Sequence, residues 1–191
     1  MAGDMADNVI LVGFMGAGKS SVGRLLARRL GRCFVETDDM ITAKEGLPIP
    51  EIFTAKGEPH FRALEDEAVR LLALKRGDVI ATGGGLPCQD GRVEALQALG
   101  TVVWLSGDLA TLCERALRSG DRPMLHGKTR EEIETLYKSR EPFYAKADVQ
   151  VDTTALNSDQ VAAEVLRALH RRARPPHPAL SPTGGEGSIS G

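Results

Sequence analysis

Short apolar runs alternate along the chain with stretches in which apolar residues recur every three or four positions. The runs at residues 8–12, 33–35, 78–81, 101–105 and 148–151 are too short for helices and predict five β-strands. After the first, Val22, Leu25, Leu26 and Leu30 form one stripe of a helix that Gly31 ends, with Arg24, Arg28 and Arg29 off the stripe. A helical turn at residues 51–56 is introduced by Pro48 and Pro50 and closed by Gly57. From 59 to 75, Phe61, Leu64, Ala68, Leu71 and Leu72 keep the helical period. Further helices are predicted over 93–99, 109–117, 130–144 and 159–172. This alternation predicts an α/β fold: three layers, with a five-stranded parallel sheet covered by helices on both faces. In such sheets ligands bind beyond the carboxyl ends of the strands.

Length and composition narrow the class. The 191 residues suit one domain, here placed at 1–172, with 173–191 reading as a disordered tail rich in proline and glycine. A net charge of −2 and 4% aromatic residues give no basis for a nucleic-acid partner or an anionic membrane surface. No apolar stretch approaches the roughly 18 residues that a membrane span needs. The first seven residues are short and acidic, unlike a secretory signal, so a soluble cytoplasmic protein is expected, and separately a monomer. Cys33, Cys88 and Cys113 form no C-x-x-C pair, and Cys33 and Cys113, in apolar runs, read as small core residues.

The chemistry concentrates where strands end. Residues 13–20 read Gly-Phe-Met-Gly-Ala-Gly-Lys-Ser, a complete G-x-x-x-x-G-K-S phosphate loop between the first strand and the first helix. Backbone N–H groups of Gly16, Ala17 and Gly18, with the helix dipole, would hold phosphates. Lys19 would reach the β- and γ-phosphates, and Ser20 would offer its hydroxyl to Mg²⁺. A nucleoside triphosphate is therefore the expected ligand.

After strand two stand Glu36 and Asp38, two residues apart, which in an extended segment point to the same side. They can serve a hydroxyl kinase, or Asp38 or Asp39 can simply cap a helix. Arg62 and Glu65, at i and i+3, are neighbours on a helix face, where spacing alone gives no more than a surface ion pair. Gly83, Gly84 and Gly85 after strand three mark either a flexible turn or a close approach of a ligand to the main chain. The segment 119–128 carries Arg122 and Lys128, with Arg118 just before it, and reads as a lid over the nucleotide.

Together these pieces resemble the shikimate kinase family, within the P-loop kinase class that includes nucleoside monophosphate kinases. The resemblance spans residues 8 to about 170. It rests on the set Phe34-x-Glu36-Thr37-Asp38, Phe61-Arg62-x-x-Glu65, Thr82-Gly83-Gly84-Gly85, Arg122-Pro123-Met124-Leu125, and Arg140 ahead of Tyr144. It implies strand order 2-3-1-4-5, a mobile lid at about 119–128, and ATP-dependent phosphorylation of shikimate to shikimate 3-phosphate in aromatic amino acid biosynthesis. ATP and Mg²⁺ would meet Gly16, Ala17, Gly18, Lys19, Ser20 and Ser21, with Arg118 against the adenine and Arg122 on the transferring phosphate. The resemblance assigns Lys19, Asp38 and Arg122 to catalysis. It gives the substrate hydroxyls to Asp38, the substrate carboxylate to Arg62 and Arg140, and the ring to the backbone of Gly83 to Gly85. Glu65 would hold Arg62. Where the family has Asp, this chain has Glu36, whose carboxylate would reach the metal through water. A gluconate kinase shares the loop but gives no reason for two converging arginines. A GTPase switch would need N-K-x-D, and Ala145-Lys146-Ala147-Asp148 lacks the Asn.

Overall fold

The computed structural model describes residues 7–118 and 129–173. The expected lid with Arg122 and Lys128, and the expected tail beyond its first residue, lie outside the described residues.

The sheet has five parallel strands in the order β2-β3-β1-β4-β5, as expected. At its centre β1 (Asn8–Val12) and its neighbours β3 (Val79–Ala81) and β4 (Gly100–Ser106) are buried almost throughout, which suits near-continuous apolar sequence. The edges β2 (Phe34–Glu36) and β5 (Val149–Asp152) are only partly buried, and there the sequence admits Glu36, Gln150 and Asp152. Helices α1 (Lys19–Leu30) and α7 (Ser158–Ala173) pack together, while α4 (Arg92–Gln97) packs beside β4. The remaining helices are α2 (Thr37–Glu45), α3 (Ile49–Leu72), α5 (Leu109–Arg118) and α6 (Arg130–Tyr144). Among the described residues no helix is long and apolar enough to cross a membrane.

Register brings the site together. Leu11 is level with Ala81, and Ala81 with Glu36, so the chain leaves three adjacent strands at one height. The turns after β1, β2 and β3 therefore open on a common space. Two apolar cores support them. The larger, around Ile10, Leu11, Leu105 and Val103, fills the sheet and its covering helices. The smaller consists of Ile41, Ile52, Phe61, Leu64 and Ala68 between α2 and α3, and Met40 packs against both.

Two expectations are corrected. The segment after strand two is not extended: β2 stops at Glu36 and α2 begins at Thr37, so the two-residue alternation does not carry Glu36 and Asp38 to one side. By contrast, α3 is two helical stretches separated at Gly57 (φ 76°, ψ 174°), the position where the sequence places the stop. Cys33 is exposed and Cys113 half-buried, so neither is a core residue. Cys33 precedes the edge strand β2, and Cys113 follows the buried Leu112 on α5, off its inward stripe.

Candidate active site

The phosphate loop is a backbone construction pressed against its neighbours. Gly16 sits at φ +78°, and a Cβ there would lie 1.9 Å from the carbonyl oxygen of Leu112 in α5. Only glycine satisfies both the conformation and the space. Gly18 caps α1 in the left-handed region, so the loop runs directly into a helix N-terminus. The buried Lys19 donates from Nζ to the carbonyls of Gly13 (2.8 Å) and Phe14 (3.1 Å), which holds the ammonium across the loop. Ser20 Oγ donates to Glu36 Oε1, and Arg24 Nη2 donates to Glu36 Oε2 at 3.3 Å. The Arg24 guanidinium itself lies 4.7 Å over the Phe34 ring. A hydroxyl beside a carboxylate is a hard-oxygen pair, the donor chemistry that Mg²⁺ takes together with water and phosphate oxygens. Ser21 is exposed on the first turn of α1.

Beside the loop lies a cavity of about 500 Å³, with Gly16, Ala17 and Gly18 on one wall. The opposite wall is the segment 153–158 with Arg115. Arg115 Nη2 donates to the carbonyls of Thr153, Thr154 and Leu156 (2.9, 3.0 and 3.1 Å), tying α5 to that segment. Arg118 is elsewhere: it is exposed, donates to Glu114 Oε1 at 2.5 Å, and does not line the cavity. Sequence reading missed Arg115 and residues 153–158. The segment has no motif, and Arg115, one helical turn before Arg118, differs from it only by facing inward.

The second half of the site is built from side chains of separate elements. Asp38, in the first turn of α2, faces the turn after β3: a Cβ on Gly83 would fall 2.4 Å from Asp38 Oδ1. The adjoining Thr37 is buried, and its Oγ1 accepts from the N–H of Gly83 at 2.9 Å. Arg62 from α3 and Arg140 from α6 converge on the next two residues. A Cβ on Gly84 would lie 3.4 Å from Arg140 Nη1, and one on Gly85 would lie 3.3 Å from Arg62 Nη1 and 3.5 Å from Arg140 Nη2. The triple glycine is thus a close-approach surface rather than a slack turn. Glu36 and Asp38 flank one strand–helix junction, the first turned to the phosphate loop and the second to this pocket.

Buried partners fix the pocket from behind. Glu65, 2% exposed, accepts from Arg62 Nη1 at 2.7 Å and from Gln89 Nε2 at 2.9 Å. Burial raises its carboxyl above the ordinary range even though Arg62 pulls the other way. The fully buried Tyr144 donates from Oη to the carbonyl of Gly84 at 2.6 Å, and the Cys88 thiol meets the same oxygen at 3.5 Å. Burial pushes both groups up, so phenol and thiol stay protonated as donors. Thr37 stands inside the Phe34-x-Glu36-Thr37-Asp38 set, whereas Cys88 and Gln89 carried no recognisable pattern. Tyr144 did: it lies at i+4 from Arg140, on the same helix face.

The site therefore pairs a phosphate-binding backbone loop with a compact pocket carrying two guanidinium groups and one carboxylate. That combination fits a phosphorylated donor and a small acceptor bearing both an anionic group and hydroxyls.

The family model described as shikimate kinase matches residues 15–170. A shikimate kinase of Moorella thermoacetica is 45% identical over 165 residues, covering 86% of this chain and 95% of that relative. One from Geobacter metallireducens is also 45% identical, over 166 residues, covering 86% of this chain and 93% of that relative. Among solved structures, a shikimate kinase from Acinetobacter baumannii in complex with shikimate superposes with a TM-score of 0.81 at 35% identity. It covers 87% of this chain and 94% of its own.

Proposed function

The chain belongs to the shikimate kinase family and phosphorylates shikimate with ATP, and on that premise we propose how its residues divide the reaction. ATP lies along the phosphate loop, with its phosphates on the backbone of Gly16 to Ser20 and its base in the cavity walled by Arg115 and residues 153–158. Ser21 and Arg118 are exposed and do not line that cavity, so the adenine contact given to Arg118 falls instead to the wall with Arg115. Lys19 leaves the carbonyls of Gly13 and Phe14 for the β- and γ-phosphates. Ser20 and, through water, Glu36 would hold Mg²⁺, which when bound neutralises phosphate charge and acts as a Lewis acid.

Shikimate takes the second pocket. Its carboxylate lies between Arg62 and Arg140, its ring against Gly83 to Gly85, and its reacting hydroxyl on Asp38. The hydroxyl oxygen bonds to the γ-phosphorus as the bond to the bridging oxygen breaks, and the hydroxyl proton passes to the Asp38 carboxylate. ADP and shikimate 3-phosphate are the products. Arg122, known here from its motif alone, meets the charge that develops on the transferring group. All of these groups lie in one chain, so the proposed site needs no residue from a second copy.

The observation that carries this reading is the convergence of Arg62 and Arg140 on Gly84 and Gly85 beside Asp38. A polyol without an acid, or one with its acid placed differently, leaves two guanidinium groups unused. The test is ADP release with shikimate, gluconate, a nucleoside monophosphate, or no acceptor. Shikimate alone should drive turnover far above background. Turnover driven by gluconate with shikimate inert would defeat the assignment.

A further inference from the structure

Arg62 is held at two edges. Nη1 donates to Glu65 Oε2 at 2.7 Å, while Nε and Nη2 both donate to Glu58 Oε1, at 3.1 and 2.7 Å. A guanidinium has five N–H donors, one on Nε and two on each terminal nitrogen. Three are committed, which leaves one on Nη1 and one on Nη2. Those two nitrogens are the ones that face the turn after β3. A Cβ on Gly85 would stand 3.3 Å from Nη1 and 3.8 Å from Nη2. Two donors on adjacent nitrogens match the two oxygens of a carboxylate.

We propose that Glu58 is a positioning residue for the shikimate carboxylate: it sets the plane of the Arg62 guanidinium and so sharpens selection of a carboxylate over its uncharged ester. The inference rests on the placement of the substrate carboxylate at Arg62. Glu58 is 63% exposed, and an exposed i,i+4 ion pair on a helix adds little to stability. Its effect is directional instead. Glu65 grips one nitrogen, about which the guanidinium could still turn; a second contact on the far edge removes that freedom. The backbone supports the placement. Gly57 breaks α3, so Glu58 and Pro59 open the second helical stretch, where proline is tolerated and a carboxylate is favoured by the dipole. Burial works against the Arg62 charge, but the hydrogen bonds to Glu65 and Glu58 outweigh it and hold its pKa above the ordinary value.

The test compares Glu58→Ala, Glu58→Gln and Arg62→Ala in the full chain. Glu58→Ala should raise the KM for shikimate about five- to tenfold, an orientation effect, and leave kcat and the KM for ATP within about twofold. It should also narrow the preference for shikimate over shikimate methyl ester. Glu58→Gln keeps an acceptor oxygen and should recover part of the loss. An unchanged or lowered shikimate KM, an equal rise in the KM for ATP, or an unchanged ester preference overturns the proposal. Arg62→Ala separates the two levels. If it raises the shikimate KM while Glu58→Ala does not, only the role of Glu58 fails. If it has no effect, the placement of the carboxylate fails as well.

Discussion

In the proposed reaction the phosphate loop and the acceptor pocket solve the same problem, holding an anion, by opposite means. The loop uses eight consecutive residues, backbone donors and one lysine, and Gly13 and Gly16 are fixed by contact with Leu105 and Leu112 behind them. The pocket uses guanidinium groups from α3 and α6, a carboxylate from α2 and a turn after β3, with the buried Glu65 behind Arg62 and Tyr144 behind the turn. Phosphate is common to every nucleotide, so main-chain geometry suffices for it. A particular acceptor has to be told apart from its relatives, and that takes side chains whose positions are set separately.

The contrast breaks most sharply at Gly16. Gly16→Ala puts a methyl group 1.9 Å from the Leu112 carbonyl at a φ that L residues avoid, so the loop itself must move. The expected result is a fall in kcat/KM for ATP of ~10³-fold or more, the scale of losing preorganised donors, with loss of detectable ATP binding by calorimetry. Shikimate binding should persist. If the variant binds ATP normally, the loop does not depend on that backbone conformation.

Asp38→Asn tests the other half with almost no change in size. Turnover should fall by ~10²–10⁴-fold, the usual contribution of a proton acceptor, and shikimate binding should weaken with it. ATP affinity, measured without shikimate, should stay near its parent value. A variant that kept its turnover would place the proton acceptor elsewhere.

The smallest effect is expected at Glu36, where the two halves adjoin. Glu36→Ala frees Ser20 and Arg24 from their shared partner and should raise the Mg²⁺ concentration needed for half-maximal rate, with shikimate affinity near normal. Glu36→Asp should keep activity within about tenfold, or 1.4 kcal/mol of barrier. Separate titrations of Mg²⁺ and shikimate read the result. Weak shikimate binding with unchanged Mg²⁺ dependence would move Glu36 into the acceptor pocket.

The same contrast explains what could be read from the chain. The loop, strand order and helix stops at Gly31 and Gly57 were legible because each depends on neighbours in sequence or on a resemblance carried by motifs. The convergence of Arg62 and Arg140 on Gly84 and Gly85 was implied by resemblance, not by spacing. Local pattern misjudged the junction after β2, because Thr37 leaves the strand to enter a helix that carries no apolar stripe strong enough to announce it. Arg115 and the segment 153–158 were missed for a related reason. Their contact joins residues about forty positions apart, through backbone carbonyls that every residue possesses.

The smaller apolar core between α2 and α3 has a thermodynamic consequence. Its four large buried side chains contribute about 1.5–3 kcal/mol each before ordering entropy is subtracted, and Ala68 less, far below what the sheet core holds in total. Met40 is the hydrophobic side chain packed against both. The part of the molecule that carries Asp38 and Arg62 is therefore expected to open locally more readily than the part that carries Lys19, a difference that amide hydrogen exchange would read. In the proposed binding mode an acceptor bridging Arg62 to Arg140 would tie α3 to α6 across that weak seam. Its binding free energy is added to the stability of the less stable half, so substrate acts there as a reversible cross-link.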